Sequence, residues 1–345
     1  MHILRQVLGV DVAQKELVVT LGRLSDDLTT ELYSRRNFAN KESGFDALLK
    51  WLKKNTAADV ELRVVMEATG VYHQKFAYFL DENGIDLSVV LPNKISNYMR
   101  TLSVKTITDA TCADAISLFG LERKLENWKR PKKIYKTLQQ LTRERDQIVL
   151  ERVMIKNQIH AEEAEAEPND RSLNRLNARL RFMNQQEKEI KADINKCLKK
   201  EHSVQEIVDR ICTIPGVGIL TAVTILGETN GFELIRSKKQ LTSYAGLDVK
   251  EKQSGTSIKG KPRISKKGNR HLRKAMHLPA LAAIRHDELY KDLFTRLVSR
   301  HGIKMKAAVA VQRKLLELTY ILFKNETIYD PNRIPEKRKS SNCNS

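Results

Sequence analysis

The 345-residue sequence lacks any run of roughly eighteen apolar residues, so we expect no transmembrane helix. Its first residues, MHILRQVLGVDVAQ, have no long apolar segment followed by a small-residue cleavage site, and they do not resemble a signal peptide. The cysteines are few, they form no CxxC pair and no zinc spacing, and they are Cys112, Cys197, Cys212 and Cys343. We therefore expect a cytoplasmic protein with reduced thiols, none of which is a candidate nucleophile.

Acidic residues are also fewer than basic residues. The chain has 61 lysines and arginines against 42 aspartates and glutamates, which gives a formal net charge of +19. A soluble protein with this excess of positive charge is typical of those that bind polyanions, and nucleic acid is the leading candidate. A generic basic surface is the alternative interpretation.

Residues 1–125 alternate between strand-like and helix-like patterns. VLGVDVA, ELVVTLG, ELYSRRNF, LRVVMEATG and IDLSVVLP predict strands, because they are short apolar runs or alternate in polarity. Helical spacing separates some of them, in residues 41–55 and in HQKFAYFLDENG. Three early strands followed by alternating helices and strands predict an α/β domain with a mixed sheet.

Residues 126–205 are rich in lysine, arginine, glutamate and glutamine. Their second half repeats at alternating steps of three and four, which is a heptad seam with one polar break. The seam consists of Leu173, Leu176, Leu180, Met183, Glu187, Ile190, Ile194 and Cys197. A weaker seam precedes Pro168, which separates the two arms. The pattern predicts a helical coiled-coil hairpin that pairs with a second chain, or one that packs on its own protein.

Residues 206–328 predict a mostly helical domain, and residues 329–345 predict a disordered tail. SKKQLTSYAGL predicts a helix capped by Ser237, and HLRKAMHLPALAAIRH predicts a helix bent at Pro279. A last helix carries an apolar face formed by Val311, Leu315, Leu318 and Leu322.

Two features of this domain have alternative interpretations. IPGVG, which precedes a helix, resembles the phosphate-binding turn of helix-hairpin-helix modules, although a plain helix start has the same pattern. The histidines His271, His277 and His286 lie along one helical segment. We interpret them as surface or DNA-facing residues rather than as a metal site.

Two acidic residues interrupt apolar strands. Asp11 lies between two valines, and Glu67 ends the buried run RVVM. A carboxylate in such a place costs several kcal/mol unless it is paired or binds a metal. Asp109 and Asp114 follow in KTITDATCADAISLFG, where a helix begins. Four carboxylates suit one or two Mg²⁺ ions, whereas Asp109 as a helix cap and Asp114 as a solvated side chain are the alternatives.

A dense cluster of cations follows a serine–glycine pair in QSGTSIKGKPRISKKGN, residues 253–269. It is either a solvated loop or a place where cations hold a phosphate that a serine attacks. We predict phosphate-backbone contacts for the cations of this stretch and of the next helix, namely Lys259, Lys261, Arg263, Lys266, Lys267, Arg270, Arg273 and Lys274.

The ordered set of motifs resembles a family of bacterial insertion-sequence transposases and Piv-type DNA invertases. GVDVAQKEL, MEATGVYH and KTITDATCADA resemble its RuvC-like DEDD domain. IPGVGILTAVTIL, QLTSYAGL, QSGTSIKGKPRISKKGNRHLRKAM and KAAVAVQRKLLELTYILFK resemble its second, transposase domain. The resemblance reaches to about residue 328 and includes the helical spacer.

The resemblance implies a recombinase with two half-sites. One is an RNase H-like domain whose acids Asp11, Glu67, Asp109 and Asp114 bind Mg²⁺. The other supplies the nucleophile Ser254, with Thr256 and Ser257 as nearby rivals. The family also implies donor and target DNA, a noncoding bridge RNA that pairs with both, and a homo-oligomer that is a dimer of dimers.

One spacing departs from the family pattern. The family usually has D-x-x-D-A, whereas Asp109 and Asp114 are five residues apart. On a helix a step of five points away from the starting face, whereas steps of three or four share it. The assignment of both acids to one site thus requires that Asp109 precede the helix, and Asp114 is the better match to the pattern.

Two other functions remain open from the sequence. A RuvC-type nuclease would cut DNA by metal-dependent hydrolysis and would tolerate the loss of Ser254. A non-catalytic nucleic-acid-binding protein would tolerate the loss of Asp11 and Glu67, but buried acids without a function are unfavourable in strands.

Overall fold

The computed structural model describes residues 2–331 except residues 69, 103, 234, 251–252, 255–257 and 260–262, and it describes only the backbone at 253–254 and 258–259. The chain divides into two compact units at the bond between Arg130 and Pro131. In the described part of the chain, no helix is both long enough and apolar enough to span a membrane.

The first unit is built on a five-stranded mixed sheet with the order β3-β2-β1-β4-β5. β1 and β3 run antiparallel to β2, and β4 runs parallel to both β1 and β5. The strands are β1 (Ile3–Val12), β2 (Glu16–Ser25), β3 (Thr30–Ala39), β4 (Leu62–Glu67) and β5 (Leu87–Val90). This order and these directions are those of the RNase H-like fold, so the α/β prediction is confirmed.

Four helices accompany the sheet, and three of them follow the predicted pattern. They are α1 (Glu42–Asn55), α2 (Gln74–Glu82), α3 (Pro92–Met99) and α4 (Asp109–Glu122). The sequence did not predict α3, because Pro92 looked like the end of a strand. Proline is instead favourable at the first position of a helix, where its missing N–H has no intrahelical partner.

Small residues let α4 lie directly on the central strand. A Cβ on Gly9 of β1 would be 2.3 Å from the backbone nitrogen of Ser117 and 2.4 Å from the carbonyl oxygen of Ala113. Any side chain at Gly9 would therefore push α4 off the sheet. This close contact sets the rotation of α4 about its own axis and so decides which of its side chains reach the edge of the sheet.

The second unit begins with two 31-residue helices, α5 (Lys133–Glu163) and α6 (Asp170–Lys200), that pack on each other as a hairpin. Ile190 and Ile194 of the α6 seam share one apolar core with Leu138 and Ile148 of α5. The second half of the seam thus packs within the chain, whereas Leu173, Leu176 and Leu180 in its first half are only partly buried and are not part of that core.

Glu187, the polar break of the seam, is buried between the two helices. It pairs with Arg145 at 3.0 Å and with Arg152, both on α5, and with Lys191 at 3.0 Å on its own helix. A buried carboxylate is tolerated only when its charge is compensated. The break is therefore a buried ion cluster that joins the two arms of the hairpin.

The remaining elements of the second unit are short helices around the same core and two small antiparallel ribbons, β6 with β9 and β7 with β8. The helices are α7 (His202–Cys212), α8 (Ile219–Thr229), α9 (Lys238–Tyr244), α10 (Arg270–Ala275), α11 (His277–His286), α12 (Glu288–His301) and α13 (Lys304–Asn325). The strands are β6 (Val249–Lys250), β7 (Gln253–Ser254), β8 (Ile258–Lys259) and β9 (Arg263–Ile264).

The predicted helix bend at Pro279 lies elsewhere. The chain breaks at Met276, between α10 and α11, and Pro279 sits in the first turn of α11. A proline ring clashes with the carbonyl four residues earlier, which here belongs to Ala275. The first helix therefore ends at that residue.

The predicted cap of α9 is confirmed, since the Ser237 hydroxyl accepts a hydrogen bond of 3.2 Å from the backbone N–H of Gln240.

Tyr329, which the sequence assigns to the tail, is bound to the second unit. The backbone N–H of Tyr329 donates to the Thr213 hydroxyl at 2.9 Å, and its phenol donates to Asp287 at 2.8 Å. Tyr329 thus belongs to the folded unit. Residues 332–345, including Cys343, lie outside the described residues.

Candidate active site

Asp11 and Glu67 lie side by side at one edge of the sheet. β1 and β4 are parallel, and Val10 is opposite Met66 in the register. The next residue of each strand is the acid, so the parallel pairing brings the two carboxylates together, as the sequence predicts for the ends of neighbouring strands. Both residues are partly buried.

The carboxylate of Asp109 lies near enough to Asp11 for its charge to act on it. The pKa of Asp11 is raised to about 6, chiefly because the group is partly buried and then because the negative charges of Asp109 and Glu67 lie nearby. Like charges in one site disfavour ionisation, which is the electrostatic sign of a site that suits a cation.

Asp109 is the first residue of α4 and does not cap it. The N-cap is Thr108, whose hydroxyl accepts a hydrogen bond of 3.2 Å from the backbone N–H of Thr111. Thr111 in turn accepts a bond of 2.8 Å from the N–H of Thr108. This reciprocal capping leaves the exposed Asp109 carboxylate outside the cap. The expectation that Asp109 precedes the helix is therefore not met.

Asp114 is directed to a different part of the first unit. Its carboxylate accepts a hydrogen bond of 2.8 Å from the Thr20 hydroxyl of β2 and pairs with the Arg35 guanidinium of β3. It is not a solvated side chain. The step of five residues turns the Asp114 side chain away from the face of α4 that carries Asp109, as the helical geometry predicts. Besides burial, it is therefore the charge of Asp109, with that of Glu67, that raises the pKa of Asp11.

Cys112 lies on the face of α4 that carries Asp109, whereas Asp114 does not. It lies three residues after Asp109, and burial and the charges of Asp11, Glu67 and Asp109 raise the pKa of its thiol. Residues three apart share a face of a helix. The family spacing D-x-x-D, counted from Asp109, ends on this cysteine, and that count is the sequence signal that would have found it.

The described donor set suits a hard divalent cation in its chemistry, since Asp11, Glu67 and Asp109 are carboxylates whose mutual repulsion a cation would relieve. As they stand, the side chains of the described residues include no group of three or more His, Cys, Asp or Glu that is placed to hold a metal ion.

Ser254 lies in the second unit, in the short strand β7. Its backbone pairs with Ile258 of β8 in an antiparallel ribbon. The rival residues Thr256 and Ser257 lie outside the described residues, as does Lys261, and only the backbone is described at Ser254 and Lys259. The backbone of the candidate nucleophile thus lies in a paired segment, next in the chain to the predicted cations.

The described cations fall into two groups. Four of them are exposed and form no ion pair in the described part of the chain, and these are Arg263, Lys266, Lys267 and Arg270. The other two are held by the protein: Arg273 donates to the carbonyl oxygen of Ala245 at 2.8 Å, and Lys274 lies 3.2 Å from a carboxylate oxygen of Asp146. The first group is the better source of phosphate contacts.

A buried carboxylate that the sequence did not reveal anchors the end of the basic loop. Glu228 of α8 is fully buried, and Arg143 of α5 donates to both of its oxygens at 2.7 and 2.8 Å. Asn269, the N-cap of α10, donates to it at 2.6 Å. An acid within the apolar helix ILTAVTILGET was the available signal. The network ties the loop that contains Ser254 to α5 and α8 at its downstream end.

One predicted surface histidine is internal. The ring of His277 lies 3.0 Å from the side-chain amide of the buried Gln312, and the histidine itself is half-buried. His271 lies 3.6 Å from Asp146, and His286 is exposed. Their different environments argue against one shared role for the three.

Two family models match separate parts of the chain. The IS110-type DEDD domain, described as a transposase, matches residues 8–162, and the IS116/IS110/IS902 family transposase domain matches residues 208–295. Together the two models match more than two thirds of the chain. The chain belongs to the IS110 family of transposases. The DEDD match contains all four predicted acids, and the second match contains Ser254.

Individual relatives of this transposase match over nearly the whole chain or over part of it. The pilin gene-inverting protein of Moraxella lacunata is 24% identical over 94% of this chain and 97% of its own. The transposase for insertion sequence element IS1111A of Coxiella burnetii is 29% identical over 40% of this chain and 38% of its own. Among solved structures, T. thermophilus RuvC in complex with a Holliday junction substrate matches with 14% identity and a TM-score of 0.26, over 36% of this chain and 99% of that chain.

Proposed function

We propose that this transposase cuts and rejoins DNA through a phosphoserine intermediate at Ser254, with Mg²⁺ bound by the acids of the first unit. The observation that carries the proposal is the pairing of Asp11 and Glu67 at the ends of the parallel strands β1 and β4, with Asp109 near enough for its charge to add to burial in raising the pKa of Asp11, in a chain whose second matched domain contains Ser254. Strand cutting by an insertion-sequence transposase requires a nucleophile, and a serine in a basic loop is the available candidate.

The chemistry assigns one task to each group. The Ser254 oxygen attacks a DNA phosphorus and forms a P–O bond, one deoxyribose oxygen leaves, and the serine proton is transferred to that leaving oxygen through solvent. The bond energy stays in the phosphoserine, so that a second deoxyribose hydroxyl can reverse the step without ATP. Arg263, Lys266, Lys267 and Arg270 hold phosphates.

When bound, Mg²⁺ would stabilise the charge that develops on the phosphate and the leaving oxygen. Asp11, Glu67 and Asp109 would hold it, whereas Asp114 would brace α4 against β2 and β3 through Thr20 and Arg35. Asp114 is therefore a supporting residue in this proposal, and Cys112 is a neighbour of the metal site.

Guidance and assembly complete the proposal. A bridge RNA selects donor and target DNA by base pairing, so the protein needs contacts with nucleic-acid backbones more than with bases, in keeping with its net charge of +19. The chain assembles as a homo-oligomer through its hairpin. Leu150, Val153 and Met154 are exposed apolar side chains on α5, and they support that contact because apolar surface of this kind is stabilised when a partner covers it.

The test is a covalent adduct. Purified protein is incubated with Mg²⁺, element RNA and labelled donor and target DNA, and denaturing gels compare wild type with Ser254→Ala, Asp11→Ala and, as a control for serine loss, Ser243→Ala in α9. We expect an adduct that requires Ser254 and Asp11 but not Ser243, and that depends on the RNA.

Three other outcomes are informative. Metal-dependent cutting that persists in Ser254→Ala without an adduct would instead establish a hydrolytic RuvC-type nuclease. An adduct lost only with Ser257→Ala or Thr256→Ala would move the nucleophile to that residue. DNA binding without cutting, unchanged in Asp11→Ala, would indicate a non-catalytic binding protein.

A further inference from the structure

A groove of about 460 Å³ lies in the second unit, between the β6–β9 ribbon and the turn that joins α12 to α13. Its floor is apolar and includes Leu247, Ile264 and Leu297. The volume falls within the range of about 300–1,000 Å³ that is typical of pockets for drug-sized ligands. The ribbon that forms one wall flanks the loop that contains Ser254, because β6 precedes that loop and β9 follows it.

Every titratable side chain that lines the groove is basic, and these are Arg263, Lys266, His301, Lys306 and Arg313. No carboxylate lines it, and within the described part of the chain none of the five forms an ion pair. An apolar floor inside an uncompensated cationic rim is complementary to a ligand with an apolar body and a negatively charged backbone.

The turn between α12 and α13 presents apolar side chains to solvent between lysines. Ile303 and Met305 are 56% and 60% exposed, and Lys304 and Lys306 alternate with them. Val249 of β6, on the opposite wall, is 51% exposed. Proteins that unstack DNA insert apolar side chains of this kind between bases, while neighbouring cations hold the phosphates.

A backbone outlier lies on the same wall. Lys266 has a φ of +53°, a conformation that costs free energy for a residue other than glycine. It is held by a hydrogen bond of 3.1 Å from its N–H to the Gly246 carbonyl, and the adjacent Ser265 donates to Asp248 at 2.5 Å. The fold thus fixes a cation at the rim at the expense of local strain.

We propose that this groove receives an unstacked nucleobase of the donor or target DNA next to the strand that is cut. The base would contact Ile303, Met305 and the apolar floor, and the cations would hold the flanking phosphates. The inference rests on the proposed function only for the identity of the nucleic acid, since the groove itself needs no covalent step.

The experiment measures binding without chemistry. The full-length Ser254→Ala protein is titrated into two DNA duplexes that carry 2-aminopurine, one fully paired and one with the 2-aminopurine opposite a gap, and its fluorescence is followed. The groove variant adds Ile303→Asn and Met305→Gln, which remove apolar surface without changing charge. The matched control adds Leu278→Asn, at a residue of α11 that is 74% exposed and lies outside the groove.

We expect the parent to prefer the gapped duplex and the groove variant to lose about tenfold in affinity for it, in the range that stacking contributes per base. Affinity for the paired duplex and the melting temperature should stay unchanged, and the Leu278→Asn control should behave as the parent. Equal losses on both duplexes, no preference in the parent, or a preference only for RNA of the same sequence would overturn the inference.

The two proposals fail separately. If the serine adduct forms in the wild type but the groove variant binds both duplexes normally, only the groove assignment is wrong. If no adduct forms but the base-dependent signal requires Ile303 and Met305, the groove assignment stands and the serine mechanism is wrong.

Discussion

Asp114 of α4 is ion-paired with Arg35 of β3, on the far side of the helix from Asp109. Two acids that look equivalent in the sequence are thus in different environments. One faces Asp11 and Glu67, and the other joins the helix to the antiparallel part of the sheet.

This difference predicts unequal effects of the two amide substitutions. Asp109→Asn should reduce metal-dependent DNA cutting by at least about tenfold at unchanged stability, because it removes one charge from the proposed metal site. Asp114→Asn should retain most of the activity of the folded protein but lower its unfolding free energy by about 1–3 kcal/mol, because a charge-assisted pair is lost.

Cleavage rates and urea unfolding of both variants, measured side by side, provide the check. Loss of activity in Asp114→Asn at full stability, with an active Asp109→Asn, would reverse the assignment. Arg35→Gln is the matched partner variant, and it should resemble Asp114→Asn in stability.

The raised pKa of Asp11 predicts a dependence of stability on pH and on metal. Its pKa in the folded protein is about 6, above the ordinary value near 4, so the folded state is penalised above pH 6 and the penalty disappears as the pH falls toward 4. Asp11→Asn should therefore stabilise the metal-free protein by about 1–3 kcal/mol at pH 8 and by roughly half as much at pH 5, while it abolishes cutting.

Thermal unfolding with EDTA and with Mg²⁺ measures this effect. Mg²⁺ should raise the melting temperature of the wild type and of the exposed-site control Asp59→Asn, but not that of Asp11→Asn. An equal response to Mg²⁺ in all three proteins would place the ion elsewhere.

The buried ion cluster of the hairpin predicts sensitivity to acid. Burial alone would raise the pKa of Glu187, but hydrogen bonds from Lys191 and Arg145 outweigh it and lower the pKa to about 2. The stabilisation is complete above the ordinary glutamate pKa of about 4.5. It is lost as the pH falls from there toward 2.

Glu187→Gln should cost about 1–3 kcal/mol at pH 7, because it leaves the partly exposed Arg145, Arg152 and Lys191 without their shared buried partner. The difference from wild type should shrink at pH 3, where the wild-type carboxylate begins to take up a proton. Urea unfolding at both pH values is the measurement, with Glu151→Gln, at an exposed position of α5, as the control. A constant difference at both pH values would mean that Glu187 contributes by packing and not by charge.

The sequence by itself determined most of the secondary structure and the acids at the strand ends. The apolar runs of β1 and β2, the alternation of β3, the helical spacing of α1 and α13 and the hydroxyl of Ser237 act locally, so the sequence is sufficient to predict them. Asp11 and Glu67 were predictable as a pair because parallel neighbouring strands end at one edge of a sheet.

The tertiary structure alone decided which side of α4 faces that edge. The contact of Gly9 with Ala113 and Ser117 sets the rotation of the helix, and it turns Asp109 and Cys112 toward Asp11 and Asp114 toward Arg35. A sequence pattern specifies which residues share a face of a helix, but the direction of that face depends on what the helix packs against. The same reason applies to the groove, whose walls come from segments that are far apart in the chain.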